Sequence, residues 1–170
     1  MIDDHTDCGC GDDCNGEECG DDCQKTKKHC PCDVCDGKDS LADMLAQEQT
    51  MMEKQGWYAH CVAKGDTTPS GFNYHTHGFE ESFNVPDIQF VLPIDPKILH
   101  GLAHDLVKQI KEGLKITDGM LFDKLIRKYK VRFVKATECD REVLRIILPD
   151  KNGCLTADAE GMFGEQYKDL

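Results

Sequence analysis

The most regular pattern of hydrophobic positions lies between residues 96 and 112. Apolar side chains recur there every three or four positions, as on one face of a helix. Asp95 and Pro96 suit the N-cap and the first helical position, and Gly113 suits a helix end. The spacing therefore predicts a long helix with one continuous apolar face, formed by Ile98, Leu99, Leu102, Ala103, Leu106, Val107 and Ile110.

A weaker helical pattern comes earlier in the chain. Ser40 is a suitable N-cap, Asp43 stands three residues later, and Gly56 is a suitable end. Between them, apolar residues recur at near-helical spacing, which predicts a helix over about 41–55. These residues are Leu41, Met44, Leu45, Met51 and Met52.

Several short segments have the composition of β-strands. The first two flank a loop at 65–71 that contains Gly and Pro, so we expect them to pair as a hairpin. The third is apolar on both faces, as expected for a central strand. We therefore predict an α+β fold in which one long helix and a shorter N-terminal helix pack on a mixed, mainly antiparallel sheet. The predicted strands are residues 57–64, 72–79, 87–94, 130–136 and 143–148.

We divide the chain into three parts: an acidic, Cys-rich segment at 1–39, an α/β domain at 40–156 and a C-terminal tail at 157–170. The first part has almost no apolar residues besides cysteine, Ile2 and Val34. Burial cannot offset the entropy of ordering such a segment, so we expect it to be irregular unless something cross-links it. The tail is weakly patterned, and we expect it to fray.

The net charge of −12 is concentrated at the start of the chain. Residues 1–40 hold twelve acidic residues and four lysines, which gives −8. An acidic surface repels phosphate groups, so we expect neither nucleic acid nor anionic membrane as a partner. No apolar stretch reaches the roughly 18 residues of a membrane span, and no basic and apolar leader opens the chain. We therefore expect a cytoplasmic protein.

Eight of the eleven cysteines lie in the first part, in Cys-x-Cys and Cys-x-x-Cys pairs among single cysteines. In a reducing compartment such a cluster favours metal ligation over disulfides. Eight thiolates suffice for two tetrahedral zinc sites or one bridged cluster, although copper(I) or cadmium would also suit them. The alternative is a flexible acidic tail with incidental thiols. The predicted ligands are Cys8, Cys10, Cys14, Cys19, Cys23, His29, Cys30, Cys32 and Cys35.

Three histidines form a second candidate metal site. His75 and His77 are two apart on one predicted strand and so share a face, and His60 lies on its predicted hairpin partner. Three imidazoles on one face suit a catalytic metal with an open position. The alternative is that they are polar residues on the solvent side of a half-buried hairpin, and this alternative is favoured because no carboxylate partner is identifiable.

Two further histidines, His100 and His104, form an H-x-x-x-H pair on one face of the long helix. On a helical wheel they lie about 110° and 150° from the centre of the apolar face. We therefore expect a pair at the edge or surface, separate from the strand histidines. We also interpret Arg141 and Arg145 as either anion ligands or surface charges paired with Glu138 and Glu142.

The central block resembles the uncharacterised bacterial family known as domain of unknown function 4262. The matching features are a Thr-x-Gly strand, a Pro-acid-hydrophobic strand that ends in Leu-Pro, and a closing strand that ends in Pro-Asp with a nearby Gly. The resemblance spans about residues 50–156 and implies a compact α/β fold without an assigned activity. Val85 and Thr156 depart from the pattern, where many members have His and Pro. The matching residues are Thr76, Gly78, Pro86, Asp87, Leu92, Pro93, Pro149, Asp150 and Gly153.

Three hypotheses follow for the function. The first is a cytosolic protein that binds zinc or another soft metal through its Cys-rich segment. The second is a metal-dependent hydrolase that uses His60, His75 and His77. The third is an interaction module with an unidentified protein partner and no catalytic role. The sequence leaves open whether the α/β domain is an enzyme, although it leans towards a domain without enzymatic activity.

Overall fold

The computed structural model describes residues 40–63, 70–168 and 170. The Cys-rich segment at 1–39, with its nine predicted metal ligands, lies outside the described residues. Within the described part of the chain, no helix combines the length and the apolar character needed to cross a membrane.

The first helix, α1, covers Leu41–Gln55, as predicted. Asp43 lies in its first turn and Lys54 in its last turn, where their charges stabilise the helix dipole. None of its residues is fully buried. Gly56 follows with a left-handed φ of 82°, which ends the helix and turns the chain into the sheet.

Six strands form one sheet in the order β1-β2-β3-β6-β5-β4. Of the five neighbouring pairs, only β3 and β6 run parallel, so the predicted mixed, mainly antiparallel sheet is confirmed. The predicted hairpin of the first two strands is confirmed as well. The strands are β1 (Tyr58–Ala63), β2 (Phe72–His77), β3 (Asp87–Phe90), β4 (Leu121–Ile126), β5 (Tyr129–Glu138) and β6 (Arg141–Ile147).

The long helix, α3, covers Pro96–Lys111 and begins as predicted. The side chain of Asp95 accepts a hydrogen bond from the backbone N–H of Lys97, 2.8 Å away. The prediction that Ile98 belongs to the buried face is wrong, because this residue is 57% exposed in the first turn. The residues that α3 buries are Leu99, Ala103, Leu106 and Val107.

The two faces of the sheet differ in character. Since neighbouring residues on a strand alternate between faces, Ile88 and Phe90 lie on the α3 side, in the main hydrophobic core. Asp87 and Gln89 lie on the other side, where buried polar groups collect.

Two short helices were not predicted. The helix α2, Phe79–Phe83, directly follows β2, and α4, Met162–Glu165, lies near the end of the chain. The expectation that the tail frays is wrong for its described residues. Gln166 is 1% exposed, and its side-chain amide bonds both the N–H and the carbonyl of Leu148, each at 2.9 Å. This contact attaches the tail to the end of β6.

Candidate metal centre

The hairpin of β1 and β2 brings three histidines to one face. In its antiparallel register His60 stands opposite His75, and Tyr58 stands opposite His77. Directly opposed side chains share a face, as do side chains two apart on one strand. The three imidazoles therefore lie together on the face of the sheet opposite α3.

The rings are close enough to serve one ion. The His60 ring centroid lies 5.6 Å from that of His75 and 4.9 Å from that of His77. The candidate ligand atoms of the three residues all lie within 4.8 Å of one another. Nitrogens bound to one tetrahedral zinc ion lie about 3.4 Å apart. The rings would therefore have to draw slightly together around an ion.

Two of the histidines have a carboxylate beside the ring. Glu48, on α1, places Oε1 2.6 Å from Nε2 of His60. Glu138, at the end of β5, places Oε1 2.9 Å from Nδ1 of His75. The second contact has the distance of an ion pair but is not aligned as a hydrogen bond. Metal-bound histidines usually have such a partner on the outer ring nitrogen, where it fixes the tautomer and orients the ring.

His77 has a different environment. The Tyr58 ring stacks on its ring with the centroids 4.8 Å apart. Nη1 of Arg141 lies 3.2 Å from Nδ1, and Nε2 is buried without a hydrogen-bond partner among the described residues. Burial, followed by the charge of Arg141, lowers the pKa of His77 to about 4. The ring is therefore neutral at pH 7 and keeps a lone pair for a metal.

The contact between Arg141 and His77 sets a condition on metal binding. Arg141 can only donate, so Nδ1 of His77 accepts and Nε2 carries the hydrogen. An ion must therefore either replace Arg141 at Nδ1 or bind Nε2 after the hydrogen has moved to Nδ1. Arg141 has other partners in both cases, at 2.8 Å from Asp87 and 2.6 Å from Glu138.

The charges around the rings favour a cation. The site holds three carboxylates, those of Glu48, Asp87 and Glu138, and one guanidinium, that of Arg141. With neutral imidazoles the site has two net negative charges. A divalent ion would neutralise them in a setting where charges are less screened than in water.

Glu138 remains ionised although it is buried. Burial raises its pKa, but contacts from His75 and Asn73 outweigh that effect and lower the pKa to about 2. Asp87 responds in the opposite way: its burial raises its pKa more than the backbone N–H of Phe79 and the charge of Arg141 lower it.

A row of buried hydrogen bonds continues from the site across the sheet. Asn73 donates to Glu138 and accepts from Gln89 at 3.3 Å, and Gln89 accepts from Arg145 at 2.8 Å. Arg145 also donates to the backbone carbonyls of Gln166 and Lys168. The interpretation of Arg145 as a surface charge is therefore wrong, since its side chain is 1% exposed. Arg141, by contrast, pairs with Glu138.

The other candidate groups lie apart from the three histidines. Cys61 follows His60 and so points to the opposite face, where burial raises the pKa of its thiol. His100 and His104 are on α3, on the far side of the sheet. Among the described residues, only His60, His75 and His77 form a cluster of three or more candidate metal ligands.

Sequence reasoning missed the two carboxylates beside the histidines. Glu48 lies in the predicted first helix without a role, and Glu138 is predicted only as a partner for a surface arginine. Glu48 precedes His60 by 12 residues and Glu138 follows His75 by 63, so no local motif joins them. The one available clue was general: burying a charge is costly, so a buried carboxylate is expected to have a partner.

Comparison with known proteins identifies a family for this chain. Residues 51–160 match the model of a domain of unknown function, DUF4262. No curated protein and no solved structure matches the chain. The matched region covers more than half of the chain, from the end of α1 through β6, and includes His60, His75, His77 and Glu138. This chain therefore belongs to the DUF4262 family.

Proposed function

We propose that the α/β domain binds a divalent transition metal ion, with zinc as the best candidate, through His60, His75 and His77. The observation that carries the proposal is the convergence of three imidazole nitrogens on one face of the sheet. Imidazole suits zinc, copper, nickel and iron, whereas magnesium and calcium prefer oxygen ligands.

The surroundings of the rings support the same proposal. Glu48 and Glu138 stand beside two of the rings, as carboxylates do in known zinc sites. The side chain of His60 is 38% exposed, which gives an ion a route from solvent. The two net negative charges of the site favour a divalent cation over an anionic ligand.

Metal-assisted hydrolysis is a second candidate function. Three histidine ligands leave the fourth position of a tetrahedral zinc ion to water, and bound zinc lowers the pKa of that water to about 7. The exposure of His60 at the mouth of the site supports this reading, because a substrate needs the same access as the ion.

Zinc binding by the cysteines and histidine of the first 39 residues remains a separate proposal, outside the described residues. Cobalt(II) distinguishes the two sites in the full-length protein. Thiolate ligands give intense charge-transfer absorption in the near ultraviolet, whereas nitrogen and oxygen ligands give only weak visible bands.

The test is a cobalt(II) titration of the full-length reduced protein and of the His75→Ala/His77→Ala double variant. We expect the variant to lose the visible bands of an ion held by three imidazoles and to retain any thiolate absorption. Glu142→Gln serves as the matched control, because Glu142 is exposed and pairs with Lys135. Equal visible bands in the wild type and the His75/His77 variant would refute the strand site.

A further inference from the structure

The helix α3 brings two more imidazoles into direct contact on the other side of the sheet. Nε2 of His104 lies 3.2 Å from Nε2 of His100, one helical turn away. The ring centroids are 4.7 Å apart and the ring planes are nearly perpendicular, at 81°. The contact is a hydrogen bond between the two rings, so an ion would take the place of its hydrogen between the two nitrogens.

The two rings are held in place from the sheet side. The hydroxyl group of the buried Tyr74 lies 2.9 Å from Nδ1 of His100 and holds the outer nitrogen of that ring. The buried Trp57 lies against both imidazoles, with centroid distances of 5.0 Å to His100 and 4.9 Å to His104. The pair is thus restrained before anything binds to it.

The spacing of the two nitrogens matches that of ligands on one metal ion. Zinc–nitrogen bonds of about 2.0–2.1 Å place two nitrogens of a tetrahedral site about 3.4 Å apart. We propose that His100 and His104 form a second metal site, which chelates a first-row divalent transition cation and leaves its remaining positions to water. In that state Nδ1 of His100 carries the hydrogen and donates it to the oxygen of Tyr74, as outer partners do in known sites.

The position of the pair makes it accessible and distinct from the strand site. His104 is exposed, so an ion reaches it directly from solvent. Tyr74 and His75 are neighbours on β2 and point to opposite faces, so the sheet separates the two sites. Each site is therefore expected to bind its ion without the other.

Trp57 provides a local probe because it is the sole tryptophan of the chain. We would titrate nickel(II), a paramagnetic quencher, into full-length protein whose thiols have been alkylated so that no cysteine binds the ion. Three proteins are compared: the wild type, His104→Ala, and His75→Ala/His77→Ala as the matched control. Emission wavelength and circular dichroism before the titration check that each variant is folded.

We expect saturable quenching of Trp57 in the wild type and in the His75/His77 variant. In His104→Ala the midpoint should rise at least about tenfold, because a single imidazole replaces a chelating pair. Quenching with an unchanged midpoint in His104→Ala, or no saturable quenching in the wild type, would overturn the proposal.

A second measurement covers the case in which His104→Ala does not fold. Zinc added to alkylated wild-type protein labelled with ¹⁵N should shift the Nε2 resonances of both His100 and His104. If these two resonances stay in place while zinc is in excess, the second site does not exist.

Discussion

At the scale of the residue, Glu138 connects the histidines to the basic group of the site. The residue is 5% exposed, and its carboxylate lies between His75, Asn73 and Arg141. A buried carboxylate is costly unless it is paired, and here the pairs keep it ionised. Under the proposed function Glu138 is a positioning residue: it stands beside His75 and is not one of the three clustered ligands.

Replacement of Glu138 by glutamine should weaken metal binding without removing a ligand. We expect the zinc dissociation constant of Glu138→Gln to rise by about 10- to 100-fold, the usual effect of losing a partner of a metal-bound histidine. Calorimetric titration of the full-length protein with alkylated thiols measures the change. Glu142→Gln is the matched control, since Glu142 is exposed and pairs with Lys135. Equal zinc affinities in both variants would show that Glu138 does not support metal binding.

Acid should destabilise the metal-free protein through His77 and Glu138. The unfolded chain protonates a histidine near pH 6.5, whereas His77 in the fold resists protonation down to a pKa of about 4. Its contribution to the free energy of unfolding is therefore complete above pH 6.5 and is lost as the pH falls towards 4. Glu138 adds a loss between its ordinary pKa of 4.5 and about 2.

Urea unfolding of alkylated, chelator-treated protein at a series of pH values checks this pH dependence. His77→Ala should show a smaller loss between pH 6.5 and 4 than the wild type. A loss of the same size in both proteins would show that other groups dominate the acid response.

The three histidines could be brought together from the sequence, but their carboxylates could not. Strand alternation and a short hairpin place His60, His75 and His77 on one face from local information alone. Glu138 and His75 lie on strands that β3 and β6 separate in the sheet, so their contact does not follow from the pairing of neighbouring strands. That strand order depends on packing across the whole domain, which a single sequence does not reveal.

At the scale of the element, the end of α1 and the end of β2 pack closely against each other at a junction near the site. Gly78 directly follows β2 with φ 94°, and a Cβ placed there would stand 2.7 Å from the carbonyl oxygen of Gly56 and 2.7 Å from Sδ of Met52. The junction thus holds α1, which carries Glu48, against the end of the strand that carries His77.

Substitution at this junction should destabilise the fold. We expect Gly78→Ala to lower the free energy of unfolding by more than about 1 kcal/mol, because alanine at this φ is strained and its Cβ meets backbone. Gly101→Ala is the matched control: Gly101 lies within α3 with open space around its Cβ, so alanine should stabilise by about 1 kcal/mol. Urea unfolding measures both, and a stabilised Gly78→Ala would contradict the packing described here.

The elements with strong local patterns were the predictable ones. The helix α3 has a cap and a long apolar repeat, α1 has a weaker repeat between suitable end residues, and the predicted strands have the β-branched and aromatic composition of sheets. The helix α2 was missed because five residues are too few for a periodic pattern. The tail was misjudged because Gln166 attaches it through polar bonds to Leu148, which leave no hydrophobic pattern in the sequence.

At the scale of the whole molecule, the sheet divides the domain into an apolar side and a polar side. The α3 side holds the main hydrophobic core. The other side holds the histidines, Glu138 and a chain of buried polar bonds that reaches the C-terminal residues through Arg145. The hydrogen bonds of this chain add little net stability but fix one arrangement of its side chains. That rigidity is what a preformed metal site requires.

The most direct test of the three-histidine site is an anomalous difference map from zinc-soaked crystals, with data collected on both sides of the zinc absorption edge. The account predicts a peak bonded to one ring nitrogen each of His60, His75 and His77, at about 2.0–2.1 Å. Well-defined imidazoles with no peak between them, under conditions in which zinc is bound elsewhere in the same crystal, would contradict it.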